Sequence, residues 1–151
     1  MSEKVEIPVK ELLYRIFALP VALVKELYPV LGKERALKLA KGAMFKAVMQ
    51  ERNTQFKSFE DFLNRGGSEL LRKTIERKDL DVGKNKMSFK ITKCMWFEVF
   101  KSMDATEIGE VLVCESDFPR AKTWSPKLEL KRTQTIMGGA PYCDFCYMWK
   151  E

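Results

Sequence analysis

Apolar residues recur at three- and four-residue steps from Leu12 to Leu31, but at every second position from Met87 to Ile91. This change of period constrains the fold more than any other feature. A helix returns a side chain to the same face after about 3.6 residues, whereas a strand does so after about two. In the first stretch Leu12, Leu13, Ile16, Phe17, Pro20, Leu23, Val24, Leu27 and Leu31 form one stripe that keeps its register through Pro20. A single helix kinked at Pro20 and stopped by Gly32 is the expectation. A second helix is predicted from Lys33 to Arg52, with Ala36, Leu37, Ala40, Met44, Ala47 and Val48 on one face. Ser58, followed by Glu60 and Asp61, is a candidate N-cap for a third. Gly66-Gly67 then breaks that helix before Leu70, Leu71 and Ile75 resume.

The later half alternates. Met87, Phe89 and Ile91 against Ser88, Lys90 and Thr92 mark Lys86 to Cys94 as a half-buried strand. Trp96 to Ser102 and Thr106 to Cys114 read as short helices around Asp104. Lys127 to Met137 and Cys143 to Lys150 read as two further strands, and the Gly/Pro-rich stretch from Gly138 to Tyr142 joins them as a hairpin. The chain is therefore expected to be a single α+β domain over residues 1–151, with N-terminal helices packed on a small C-terminal antiparallel sheet that ends in a β-hairpin. Residues 1–80 form its helical half and residues 86–151 its mixed half.

Composition narrows the chemistry. There is no histidine, so the usual general base, the usual zinc ligand and every Ser-His or Cys-His pair are missing. The net charge of +6 comes from 27 Lys plus Arg against 21 Asp plus Glu and is spread along the chain. Its densest part, Lys33 to Lys46, reads as a solvated helix face and not as a nucleic-acid site, because no aromatic or Gly/Arg-rich partner accompanies the charges. The longest purely apolar run, Phe17 to Val24, is interrupted by Pro20 and falls short of the roughly 20 residues a membrane span needs. The N-terminus lacks the apolar core of a secretory signal, and a cytoplasmic location is expected. Four cysteines should then stay reduced, as core residues, metal ligands or nucleophiles.

Cys143-Asp144-Phe145-Cys146 has the spacing of a metal knuckle, but no Gly or Pro lies inside or just after it. On a strand Cys143, Phe145, Tyr147 and Trp149 share one face, and Asp144, Cys146 and Met148 the other. The two sulfurs then point apart, and neither a metal site nor a cofactor is expected.

Cys114-Glu115-Ser116-Asp117, Ser125-Pro126, Leu128, the run from Arg132 to Gly138 (RTQTIMG) and Cys143-Asp144-Phe145 follow in order. Together with Cys94 and Glu107-x-Gly109, these motifs resemble the L-2-amino-thiazoline-4-carboxylic acid hydrolase family over about Phe89 to Tyr147. The family is similar in layout to 4-vinyl-reductase-like ligand-binding domains. One departure is Cys146, where family members usually carry Arg. The resemblance implies hydrolysis of a C–N bond in a cyclic amidine that bears a carboxylate. Arg132 would clamp that carboxylate, and Asp117 and Asp144 would share proton transfer. Cys114 or Cys143 would be an alternative nucleophile, and Thr133 and Thr135 would hydrogen-bond intermediates. The competing reading is a non-catalytic domain holding a small or apolar molecule. In both, the partner is a small-molecule ligand; self-association is left open.

Overall fold

The computed structural model describes residues 7–51, 54–65 and 69–151. Helix α1 (Val9–Leu31) contains both Pro20 and Pro29 and buries Leu13, Val21 and Val24. It ends where Gly32, at φ 79°, donates its N–H to the Tyr28 carbonyl. That left-handed φ suits glycine, and the chain turns there into α2 (Lys33–Met49). Ala36, Ala40, Met44 and Val48 recur every fourth residue and are the buried face of α2. Lys33, Arg35, Lys38, Lys41 and Lys46 all stay exposed. Helix α3 (Phe59–Arg65) begins where the Ser58 hydroxyl accepts the Asp61 N–H at 3.1 Å. The predicted break at Gly66-Gly67 lies outside the described residues. Helix α4 (Glu69–Thr74) follows.

Four strands form one antiparallel sheet in the order β1-β2-β4-β3. They are β1 (Ile75–Val82), β2 (Lys86–Cys94), β3 (Leu128–Lys131) and β4 (Cys143–Trp149). Between β2 and β3 run α5 (Met95–Ser102), α6 (Thr106–Gly109), a π-helical turn (Glu110–Cys114) and α7 (Asp117–Trp124). Met87, Phe89 and Ile91 of β2, Leu128 and Leu130 of β3, and Cys143 and Tyr147 of β4 point to one side of the sheet. There they pack with Phe56, Phe59 and Phe62 and with Ala121 of α7. A second apolar cluster joins Val21 and Val24 of α1 and Ala40 of α2 to Phe100, Ala105 and Ile108.

The α+β architecture and the terminal hairpin are as the sequence predicts, with three corrections. The sheet reaches into the expected helical half, because Ile75 opens strand β1. That strand is an edge and mostly charged. Its ladder to β2 holds it, and exposed cross-strand ion pairs, Lys93 to Glu76 and Lys90 to Asp79, each at 3.0 Å, stand where other strands alternate apolar residues. Second, the strand expected from Lys127 to Met137 stops at Lys131. The Asp144 carboxylate takes the backbone N–H groups of Thr133 and Gln134, each at 2.9 Å, and so draws the chain off the ladder. The hairpin connection is consequently long, spanning residues 132–142. Third, Asp117 to Trp124 forms helix α7, which carries no apolar stripe to announce it in the sequence.

The Glu107-x-Gly109 motif has a packing explanation. A Cβ on Gly109 would stand 2.7 Å from Cγ of the fully buried Phe100 and 2.8 Å from Sδ of Met137. Gly109→Ala is expected to cost about 1–3 kcal/mol through overpacking. Thermal denaturation checks this, and an unchanged melting temperature would show that Met137 swings clear.

Candidate functional site

A cavity of about 220 Å³ lies between the two apolar clusters. Phe17 and Trp96 close it on the helical side, and Phe89, Phe145 and Tyr147 on the sheet side. Set into this apolar wall are three thiols, three guanidinium groups and one carboxylate: Cys94, Cys114, Cys143, Arg77, Arg120, Arg132 and Asp117.

Backbone irregularities aim several of them. Ile75 pairs with Cys94 and Arg77 with Ile91, so β2 carries one residue more than β1 at this point. The bulge turns Cys94 to the same side as Ile91, which an unbroken strand would forbid at that spacing. Cys94 also accepts the Phe97 N–H at 3.5 Å at the start of α5. Cys114 ends the π-helical turn, which is closed by Glu115 N–H to the Glu110 carbonyl at 2.8 Å. Such wide turns recur at functional sites. Cys143 opens β4 and accepts the Ile136 N–H at 3.2 Å.

None of the three thiols is activated. Burial pushes Cys94 up to about 11 despite its helix-start position, with Cys143 and Asp117 adding to the rise. Burial raises Cys114 strongly, and Glu110 reinforces it against the opposing Arg132. Cys143 is also raised by burial, against the Ile136 N–H and Arg132.

Asp117 opens α7 and receives Arg132 Nη1 at 2.8 Å, with Arg120 Nη1 at 3.8 Å. Burial raises its pKa, and the two arginines offset that only in part. The side chain nevertheless keeps 27% of its surface accessible, on the cavity wall. Arg132 is 2% exposed. Its second terminal nitrogen donates to the Cys114 carbonyl at 2.8 Å, and its guanidinium stands over the rings of Phe118 and Phe145, 5.1 and 5.0 Å from their centroids. Burial opposes its charge, but Asp117, with Cys114 and Glu110, outweighs burial and raises its pKa.

Of the site residues read from sequence, the fold thus brings Cys114, Asp117, Arg132 and Cys143 together. Asp144, Thr133 and Thr135 lie elsewhere. Asp144 lines a broader groove of about 480 Å³ that also takes in Thr133 and Cys146, and its carboxylate is committed to Thr133 and Gln134. Thr135 is buried, donates to Glu110 at 2.7 Å and accepts the Gly138 N–H at 2.9 Å. Arg132 also borders this groove beside Asp144, but Asp117 and Cys114 do not, so the single cleft expected for all four is corrected to two. Lys131 pairs with Cys146, so the next residue, Arg132, falls beside Phe145 on the inner face, while Asp144 belongs to the outer one. The same parity separates the CxxC sulfurs, with Cys143 on the cavity and Cys146 on the groove. Among the described residues, no three Cys, Asp or Glu side chains are grouped to hold a metal ion. Arg77 and Arg120 were not legible as site residues. Arg77 sits in a charged stretch without strand periodicity, and Arg120 in a helix with no apolar stripe.

The family model for L-2-amino-thiazoline-4-carboxylic acid hydrolase matches residues 10–147. The chain belongs to this family. No curated protein matches it. Among solved structures, the phenol-responsive sensory domain of the transcription activator PoxR, with phenol, is similar at 13% identity and a TM-score of 0.46. The match covers 98% of this chain and 77% of that one. In this member of the hydrolase family, the family-like motif from Arg132 to Gly138 divides in two. Arg132 reaches the cavity, while Thr133, Gln134, Thr135 and Gly138 shape the loop that holds it there. Among the described residues, no helix is long and apolar enough to cross a membrane.

Proposed function

We propose that the protein binds a small, single-ring molecule in the cavity between its two apolar clusters. The size and lining of this space carry the reading. An apolar cavity of about 150 Å³ accommodates one benzene, and sites for drug-sized ligands begin at about 300 Å³. At about 220 Å³ this cavity suits one ring with a polar substituent. Its aromatic walls supply the burial, and its few polar groups supply orientation. Ligand-observed NMR with single-ring probes tests the proposal. Saturable binding that a cavity-filling Cys114→Phe variant removes supports it, and binding indifferent to that variant defeats it.

A second reading, ring-opening hydrolysis, is favoured by one residue. Asp117 is a carboxylate on the cavity wall whose pKa burial raises against the opposing Arg132 and Arg120, which makes it a better proton acceptor than an ordinary carboxylate. Water would add to the carbon between sulfur and nitrogen of a cyclic isothiourea, giving up a proton to Asp117. Asp117 would return that proton to the ring nitrogen, and collapse of the tetrahedral intermediate, with the hydroxyl proton passing to the same nitrogen, would break the ring C–N bond and leave S-carbamoylcysteine. The covalent alternative has less support, because burial keeps Cys114 and Cys143 as neutral thiols. Incubation with 2-amino-thiazoline-4-carboxylate, followed by mass spectrometry for the carbamoyl product, is the direct test.

A further inference from the structure

Four residues, one on or beside each strand, make a row across the inner face of the sheet. Phe89 of β2 pairs in register with Phe145 of β4, and their rings stack at 5.1 Å with 10° between planes. Arg132, just past β3, lies over Phe145 at 5.0 Å. Arg77 of β1 lies over Phe89 at 4.5 Å. A guanidinium therefore stands at either end of a pair of rings, and both line the cavity.

The two ends differ in one respect. Arg132 is neutralised by Asp117, and the third cavity arginine, Arg120, pairs with Glu51 at 3.1 Å. Arg77 has no carboxylate partner among the described residues, and its Nε is buried without a hydrogen-bond partner. Burial lowers its pKa and nearby Arg72 lowers it further, so its charge is held at a disadvantage. A buried donor without an acceptor is costly, and a polar group entering the cavity, whether water or a ligand, can complete it. Three guanidiniums face one carboxylate in the cavity wall, so the uncompensated charge is positive and is located at Arg77.

We infer that Arg77 is the anchor for an anionic group on the cavity's ligand, a carboxylate attached to a ring that lies along the Phe89–Phe145 pair. This rests on the cavity being a ligand site, as proposed above. It assigns the anion to a residue outside the family-like motifs, and it leaves Arg132 to hold Asp117 in place. The planar fork of Arg77 can donate two parallel hydrogen bonds to a carboxylate, and stacking on Phe89 fixes the plane of that fork.

Benzoate and benzamide separate the two ideas, because they share size and ring and differ in charge. Binding of both is measured by NMR titration to the full chain and to Arg77→Met, Arg77→Lys and wild-type forms. The wild type should favour benzoate by about 10- to 100-fold, the range of a hydrogen bond to a charged group. Arg77→Met should lose that preference while keeping benzamide affinity within about 2-fold, and Arg77→Lys should keep part of it. Arg77→Met should also melt no lower than wild type, since the group removed leaves no partner stranded. Equal affinity of the wild type for both probes, or an equal loss of both in Arg77→Met, overturns the anchor while leaving the cavity reading intact. Failure of both probes to bind the wild type overturns the cavity reading and the anchor with it.

Discussion

Arg132→Ala is expected to destabilise the fold by about 3–5 kcal/mol, the range for removing one partner of a buried ion pair. In a chain of this length, that corresponds to a fall in melting temperature of roughly 6–20 °C. The reason is geometric. The guanidinium is 2% exposed and lies over Phe118 and Phe145, while its donors bind Asp117 and the Cys114 carbonyl. Truncation removes the stem from a packed site, strands the Asp117 carboxylate and frees the end of the π-helical turn. A carboxylate clamp standing free in a cleft would behave otherwise, losing ligand affinity with little change in stability. Thermal melting of Arg132→Ala therefore separates the structural role from the clamp role expected from sequence. A double variant, Arg132→Met with Asp117→Leu, should recover much of the loss, because replacing both members of a buried pair by apolar groups is far milder than removing one. Melting of Arg132→Ala within a degree or two of wild type would sink this account.

The legible and illegible parts of this protein divide along physical lines. Strands β2 and β4 could be read because each presents one apolar face to a core, so burial imposes a period of two on the sequence. Strand β1 could not. It is an edge held by its ladder to β2 and interrupted twice in register, with Asp79 at φ 54°, and charged residues in that arrangement carry no period. The overextension of β3 has a different origin. Thr133 to Met137 alternates like a strand, yet short polar side chains there compete with the ladder for backbone hydrogen bonds. Asp144 wins that competition from the neighbouring strand. The same contact decides the site. Motif order could predict that Cys114, Asp117, Arg132 and Cys143 meet, but not which face each would take. Strand register settles that, and it moves Asp144 out of the cavity in the same step that moves Arg132 in. Arg77 needed the bulge in β2 and the fold of an unreadable strand, so no sequence signal could have found it.

Asp117→Asn is expected to lower any ring-opening turnover by about 10²- to 10⁴-fold, the usual contribution of a positioned acid–base group. Binding of a ring-bearing carboxylate should survive, since the anchor inferred for it, Arg77, stands on another strand. The pH profile gives the reading an independent handle. As a base Asp117 acts only when ionised, and burial places its pKa above that of an ordinary carboxyl. Turnover should therefore climb with pH through that raised value. Stability runs the opposite way. A carboxyl whose folded pKa exceeds its unfolded pKa contributes stability that is complete below the unfolded value and is lost as pH rises through the folded one. The wild type's melting temperature should accordingly fall relative to that of Asp117→Asn as pH rises from the unfolded pKa to the folded one. Both changes stem from one proton on one group, so the fall in stability must level off at the pH where turnover is half-risen. If the Asn variant retains full turnover, or if the stability difference is still changing above the pH where turnover is half-risen, the base lies elsewhere in the cavity and Asp117 serves only to hold Arg132.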